Sequence, residues 1–243
     1  MTTDPLFQVQ VISSTLNPQT AVWAGMHQDY SSGFIFEDKT NWPDEKNAGE
    51  IAVKRLLKGE RGHYGPLEHA QIIFATGYFP HSVMQQARTH RIGISFDAQS
   101  MRYTSEHIIK AAKGEINIER AFYLRSTGDY TDRQAKKYHY SDSMREADLA
   151  ECRYAAKRYA MKIASGQAEE HARGNLPFDY RQHFVVSFTL RAFLHFLDLR
   201  AKMDAQHEIR QLCELMFPHL EAWAPQIAEW YQATRYGKAR LAP

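Results

Sequence analysis

Arg88, Thr89, His90 and Arg91 stand side by side, and Ser100 and Arg102 follow within a dozen residues. Arginine donates paired hydrogen bonds from a planar fork, which suits phosphate oxygens and the carbonyl edge of a heterocycle. The chemistry such a cluster suggests is a grip on a flat, anionic ligand. A second reading is structural, because Arg and His near a helix C-terminus complement its dipole and bond its free carbonyls. Successive helical residues point ~100° apart, so four consecutive polar residues on a helix cannot all face solvent, and some must project toward other elements. Further along, Arg191 and His195 are four apart and share a face if that segment is helical.

Other chemistries find less support. Cys152 and Cys213 fall on apolar helical stripes, whereas a nucleophilic thiol needs an electropositive, partly exposed niche. Ser100 has no identifiable base nearby, which favours a hydrogen-bonding role over attack. There is no HExxH, no CxxC and no compact His/Asp/Glu cluster at ligand spacing, so no metal is expected. His81, His139, His171, His183 and His219 then read as surface or satisfied core residues. GxGxxG and GxxxxGK[ST] are also absent, which argues against a Rossmann or P-loop nucleotide site. Tyr138, Tyr140, Tyr154 and Tyr159, near several Lys and Arg, suggest RNA binding at first sight, but their helical spacing favours packing or a subunit interface.

These side chains must be held by a folded frame. With 243 residues, 44% apolar and 24% charged, the chain has the composition of an ordinary globular protein with a core large enough for one domain. A formal charge of +2 means that any anion is held by local cations rather than a global field, which weighs against a nucleic-acid partner. Two cysteines do not make a disulfide framework, and the start Met1-Thr2-Thr3-Asp4-Pro5 lacks a basic, then apolar leader. No run approaches the ~20 apolar residues of a membrane span, so a cytoplasmic protein with no membrane partner is expected.

Asn17-Pro18 predicts a helix start running to about Asp29, and a second helix is expected over Ala48 to Leu57. AQIIFATGY (70–78) reads as a buried strand, and Pro80 opens a helix carrying PHSVMQQARTHR. The segment between Arg91 and Arg102 reads as an ordered loop, with strands near Arg102 to Ser105 and Arg120 to Arg125. One long helix, continuous or interrupted, is expected from Thr131 to Ala172, with a stripe of Leu149, Cys152, Ala156, Tyr159 and Ile163. In RQHFVVSFTL, Gln182, Phe184, Val186 and Phe188 alternate with their neighbours and predict a strand. Helical stripes follow at Leu190, Leu194, Leu197 and Ala201, and at Ile209, Cys213, Met216 and Leu220. The pattern is α+β, a modest sheet with long helices packed on it.

The stretch THRIGISFDAQSMRY resembles the signature of the flavin-dependent thymidylate synthases, which is Arg-His-Arg, a spacer, then Ser, one residue and Arg. Here Thr89-His90-Arg91 takes the place of the triplet, and eight residues separate it from Ser100-Met101-Arg102. HYGPLEH (63–69), ARGNLP (172–177) and HFLDLRAKMDAQHEIR (195–210) resemble further family segments, in the family's order. The resemblance implies one domain over residues 1–243 with a central, mostly antiparallel sheet, assembling as a homotetramer with shared active sites. It implies methylation of dUMP to dTMP, with methylenetetrahydrofolate as carbon donor, FAD as cofactor and NADPH as reductant. By position, Gln86, Gln99, Ser100, Met101, Arg102 and Arg173 would bind dUMP, with Arg102 and Arg173 near its phosphate. Arg200 would meet the uracil edge as the catalytic residue, stabilising charge as N3 ionises. His63, Gly65, Thr89, His90, Arg91, Gln99, Thr189, Arg191 and His195 would line FAD.

The chain departs from the pattern at Thr89, where arginine is usual, at His195, where asparagine is common, and at Asp204, often histidine. Thr89 cannot donate a charged fork, so a flavin or phosphate contact is lost or is supplied by Arg88. Two rival readings stay open on the residues: a flavin-dependent methylase acting on another uracil, such as one in RNA, and a basic nucleic-acid-binding module without catalysis.

Overall fold

The computed structural model describes residues 3–59, 62–132 and 134–238; Met1, Thr2, Arg133 and the last five residues, which belong to the sequence-based expectations above, lie outside them. The elements run β1 (Gln8–Ser14), α1 (Pro18–Gln28), α2 (Glu45–Ala52), β2 (Gln71–Pro80), α3 (His81–Ala87), β3 (Ile94–Ala98) and α4 (Glu106–Lys113). They continue with β4 (Gly128–Thr131), β5 (Lys137–Tyr140), α5 (Asp142–Ala164), α6 (Glu169–Ala172), β6 (Arg181–Thr189), α7 (Leu190–Arg200), α8 (His207–Trp223) and α9 (Pro225–Thr234). One sheet has the order β1-β2-β6-β3, and β4 pairs with β5 in a separate hairpin. The amides of Leu190 and His81 donate to the carbonyls of Ala70 and Tyr180, and those of Thr189 and Gln99 to Gly93 and His183, so β6 runs antiparallel to both neighbours. The protein is α+β with antiparallel sheets.

The chain divides into two compact units, each assembled from separated segments. The first holds Met1–Gln8, Thr76–Arg88 and Asp97–Phe184; the second holds Val9–Ala75, Thr89–Phe96 and Val185–Pro243. In the first, α5 forms as its stripe dictates: Leu149, Cys152, Ala156 and Tyr159 are buried with Met101, Ile108 and Phe122, and Ile163 packs against them. Ser141 caps the helix by accepting from the Met144 amide, which is why it starts there and not at Thr131. The residues before it form the β4–β5 hairpin instead. No strand forms at Arg102 to Ser105, which turns into α4, and residues 120–125 contribute only an isolated bridge between Phe122 and Tyr180.

In the second unit Phe74, Phe188, Phe193 and Phe196 form one aromatic cluster, with ring centroids 5.2 to 6.1 Å apart. All four are at most 1% exposed, and each such burial contributes on the order of 1.5–3 kcal/mol. α1 spans nearly the expected residues, yet Asn17 makes no side-chain cap bond. Glu45 takes that task, its carboxylate accepting from the amides of Gln19 and Thr20 at 2.7 and 2.9 Å. α2 begins at Glu45 with Asp44 as its cap and continues into a π-helical turn, Val53–Leu57. The stripes of α7 and α8 are buried as expected at Leu190, Leu194, Leu197, Ile209, Cys213, Met216 and Leu220.

Two corrections bear on the site. α3 ends at Ala87 with Arg88 as its C-cap, so Thr89, His90 and Arg91 follow the helix instead of riding on it. The segment read as a loop after Arg91 contains β3, an edge strand in which Ile94 and Phe96 alternate with exposed Ser95 and Asp97.

Candidate active site

In the second unit β6 hands directly into α7. Thr189 caps that helix, its hydroxyl accepting from the Ala192 amide at 3.2 Å while its own amide donates to Gly93 O at 2.8 Å. Thr189, expected at the flavin, therefore has its hydroxyl engaged in setting the helix that carries Arg191, His195 and Arg200. Gly93 has φ +69°, and a Cβ there would lie 2.5 Å from the Thr189 hydroxyl, so both conformation and space call for glycine.

Arg200 Nε donates to His90 Nε2 at 3.0 Å, and Arg200 Nη2 donates to the Thr89 hydroxyl at 3.0 Å. His90 can accept only while neutral, with its proton on Nδ1. Burial, with the nearby charge of Arg200 and His195, lowers its pKa to about 4, so it is neutral near pH 7. The His90 ring also lies edge-on to His195 and Phe196, with centroids 5.5 and 5.2 Å away. Burial lowers the pKa of His195 too, and that of the half-buried Arg200. The result is a guanidinium held by two neutral acceptors among rings. Such a cation is preorganised to stabilise negative charge forming beside it.

Arg191, on the same helix, donates to Glu68 at 2.7 Å. Glu68 ends the short 3-10 turn that Gly65 begins, so HYGPLEH and α7 are tied together inside this unit. A Cβ on Gly65 would meet no protein atom within 4 Å; space is open there for something other than protein. Arg91 is exposed and its side chain has no partner among the described residues. His63 bonds Asp29 at 2.8 Å and lines a cavity of about 450 Å³ with Trp23, Met26, Tyr30 and Arg55. A planar ring system fits such aromatic walls, and the open glycine, Arg91 and the neutral histidines suit a flavin with an anionic tail.

In the first unit Gln86 is half-buried on α3. Ser100 opens a turn: its carbonyl accepts from the Thr104 hydroxyl at 2.9 Å, and its own hydroxyl lies 3.4 Å from the Arg102 amide. Gln99 is bound to β6 through its amide, which donates to His183 O at 2.9 Å. Met101 is only 2% exposed and anchors the apolar core, so its side chain serves the loop's position and only its backbone remains for a ligand. Arg102 is half-exposed and donates from Nε to Glu170 at 2.8 Å. Glu170 lies on α6, which runs directly into exposed Arg173. Arg173 has no carboxylate partner among the described residues. Two guanidinium groups near one short helix, one free and one on a solvent-accessible carboxylate, form a ready phosphate receptor.

The thiols are poorly placed for attack. Both are buried, and burial pushes Cys152 up to about 11 and Cys213 higher still, away from thiolate. Among the described residues no group of three or more His, Cys, Asp or Glu is placed to hold a metal, and no helix is long and apolar enough to cross a membrane. Glu68, Asp29, Glu170 and the aromatic walls around His63 escaped the sequence reading. Glu68 alone had a signal, inside a quoted motif; the others are partners only in three dimensions. Asp204 is exposed in the turn before α8.

The profile of the thymidylate synthase complementing protein family matches residues 10–226. The chain belongs to the flavin-dependent thymidylate synthase family. Its members include enzymes of that name from Halobacterium salinarum, 32% identical over 97% of this chain and 100% of theirs, and Haloarcula marismortui, 32% identical over 97% and 99%. Two solved structures share the fold. The UMP/dUMP methylase PolB from Streptomyces cacaoi, bound with 5-Br UMP, has a TM-score of 0.73 at 20% identity, covering 100% of this chain and 98% of its own. The synthase ThyX from Helicobacter pylori, complexed with FAD and dUMP, has a TM-score of 0.64 at 18% identity, covering 87% and 92%.

Proposed function

We propose that this synthase-family enzyme methylates dUMP to dTMP, with methylenetetrahydrofolate as carbon donor and NADPH as the source of the hydride relayed by FAD, releasing tetrahydrofolate. The observation that carries the reading is the Arg200 fork, fixed by neutral His90 and by Thr89, while the nearby Cys213 thiol is buried and kept from ionising. Arg102 and Arg173 grip the nucleotide phosphate, Ser100 and the backbone at Met101 set its register, and Gln86 and Gln99 bond polar groups of the nucleotide. Arg200 meets the uracil edge and stabilises the anion formed as N3 loses its proton, which makes the ring carbon nucleophilic without a covalent thiolate adduct. His63, Gly65, Thr89, His90, Arg91, Gln99, Arg191 and His195 hold FAD, with Thr189 acting through the α7 cap. FAD supplies the hydride-transfer chemistry when bound. The whole chain works as one synthase domain, as a cytoplasmic homotetramer with active sites shared between subunits.

The test is direct. The purified protein should carry a flavin absorption spectrum that shifts on adding dUMP, and should form dTMP once NADPH and methylenetetrahydrofolate are present. Colourless protein that makes no dTMP after FAD is supplied would refute the proposal.

A further inference from the structure

The first unit contains a cavity of about 410 Å³ whose lining, Gln99 apart, no step above uses. Gln99 lines it from the signature loop, with Tyr78 of β2, His107 of α4, Arg120, and His183 of β6. Its lining is rich in hydrogen-bond donors. His183 Nδ1 accepts from the Tyr78 amide at 3.2 Å, which leaves the proton of the neutral ring on Nε2. Burial favours that neutral ring. Gln99 Oε1 accepts from the His183 amide at 3.3 Å, and its amide nitrogen has no partner among the described residues.

Arg120 donates to the Tyr78 hydroxyl at 2.8 Å and lies over that ring, 5.1 Å from its centroid, yet it has no carboxylate among the described residues. The other cations at the cavity are already balanced: Lys110 pairs with Glu106 at 3.0 Å and Arg181 with Asp4 at 2.7 Å. His107 presents an acceptor, because its Nδ1 donates to Thr104 O at 2.8 Å and its buried Nε2 has no partner among the described residues.

Tyr78 itself has φ +65°, a left-handed backbone that a bulky aromatic rarely adopts. Arg181 holds it there by donating to its carbonyl at 2.7 Å. Strained residues of this kind concentrate where a side chain must be aimed at a ligand. Here the conformation sets the tyrosine ring between Arg120 and His183, 4.7 Å from the latter.

We propose that this cavity is a second anion site, taking a carboxylate or phosphate arm of a co-substrate, separate from the Arg102 and Arg173 pair that takes the nucleotide. The inference rests on the reading of the chain as a folate- and NADPH-using synthase. Two arms have the required chemistry, the glutamate of the folate and the extra phosphate of NADPH. Each joins anionic oxygens to a group able to donate to His107.

Titration calorimetry on the full chain with FAD and dUMP bound separates them, using p-aminobenzoyl-L-glutamate and adenosine 2′,5′-bisphosphate as probes. One probe should bind, Arg120→Gln should weaken it about tenfold, and Arg120→Lys should recover part of the loss. The KM of the matching co-substrate should rise by a similar factor, with flavin content and dUMP affinity unchanged. Failure of both probes to bind, or equal binding to Arg120→Gln, overturns the proposal. A parallel loss of dUMP affinity overturns it too, by giving the cavity to the nucleotide. If wild-type protein makes no dTMP while a probe still binds in an Arg120-dependent way, the anion site stands and the synthase reading falls instead.

Discussion

The arginines assigned to the phosphate, in the first unit, and the one assigned to the uracil edge, in the second, are held in opposite ways. In the first, Arg102 and Arg173 are on the surface, one unpaired among the described residues and the other on a carboxylate that is itself half-exposed. In the second, Arg200 is half-buried and fixed by neutral acceptors, one of them a histidine whose ring packs on Phe196. A surface ion pair contributes about 0–1 kcal/mol, so Glu170 yields readily to a doubly charged phosphate. A preset guanidinium needs no reorganisation when charge develops next to it. Exchangeable contacts suit binding; preset ones suit catalysis.

The sharpest way to break this contrast is Arg200→Ala. It should cut dTMP turnover at saturating dUMP by about a hundredfold or more, the scale of losing a preorganised charge donor, with unchanged far-ultraviolet circular dichroism. Near-normal turnover would remove Arg200 from its role. Arg102→Ala should weaken dUMP binding about tenfold, roughly 1.4 kcal/mol, and leave turnover at saturation nearly intact. A loss confined to turnover would reverse the division of labour drawn above. Thr89→Val removes one acceptor from Arg200 and should lower turnover several-fold, while Thr89→Ser restores it; both effects are readable in steady-state kinetics.

Glu170→Gln is the mildest case. Freed of its partner, Arg102 should bind dUMP up to a few-fold more tightly, and less so at high salt. Weaker binding would mean that Glu170 aims the arginine instead of merely occupying it.

Acid should act on the second unit through His90. Its pKa falls from the usual 6.5 to about 4 on folding, so between those values the unfolded chain binds more protons. Stability should therefore fall as pH drops from about 6.5 toward 4. His90→Gln should flatten that limb of the thermal-unfolding profile.

Much of the frame was legible because side-chain periodicity reports burial directly. The alternation at Gln182, Phe184, Val186 and Phe188 is the buried face of β6, and the stripes of α7 and α8 are buried as expected except at Ala201, which falls at the α7 C-cap and is half-buried. The errors arose where a local signal was weaker than a distant partner. β3 is short and at an edge, with only Ile94 and Phe96 to mark it. α1 is capped by Glu45, which no window around Asn17 contains.

The site divides along the same line. Family-positioned arginines could be named from the motifs, but the partners that set their behaviour could not. The motif shows Thr89 only as a departure from arginine; that its hydroxyl supports Arg200 is visible in three dimensions alone. Met101 sat inside the signature, yet its side chain belongs to the core.

Two residues before Arg200, Asp198 is 1% exposed and bonds both Tyr231 at 2.9 Å and Arg235 at 2.8 Å. Losing Arg235, the C-cap of α9, would leave an uncompensated buried carboxylate, and losing Tyr231 would strip it of a hydrogen bond, so α7 and α9 should open to solvent only together. Amide protons in the second half of α7 should then exchange with deuterium no faster than those of α9, and truncation before Tyr231 should speed both.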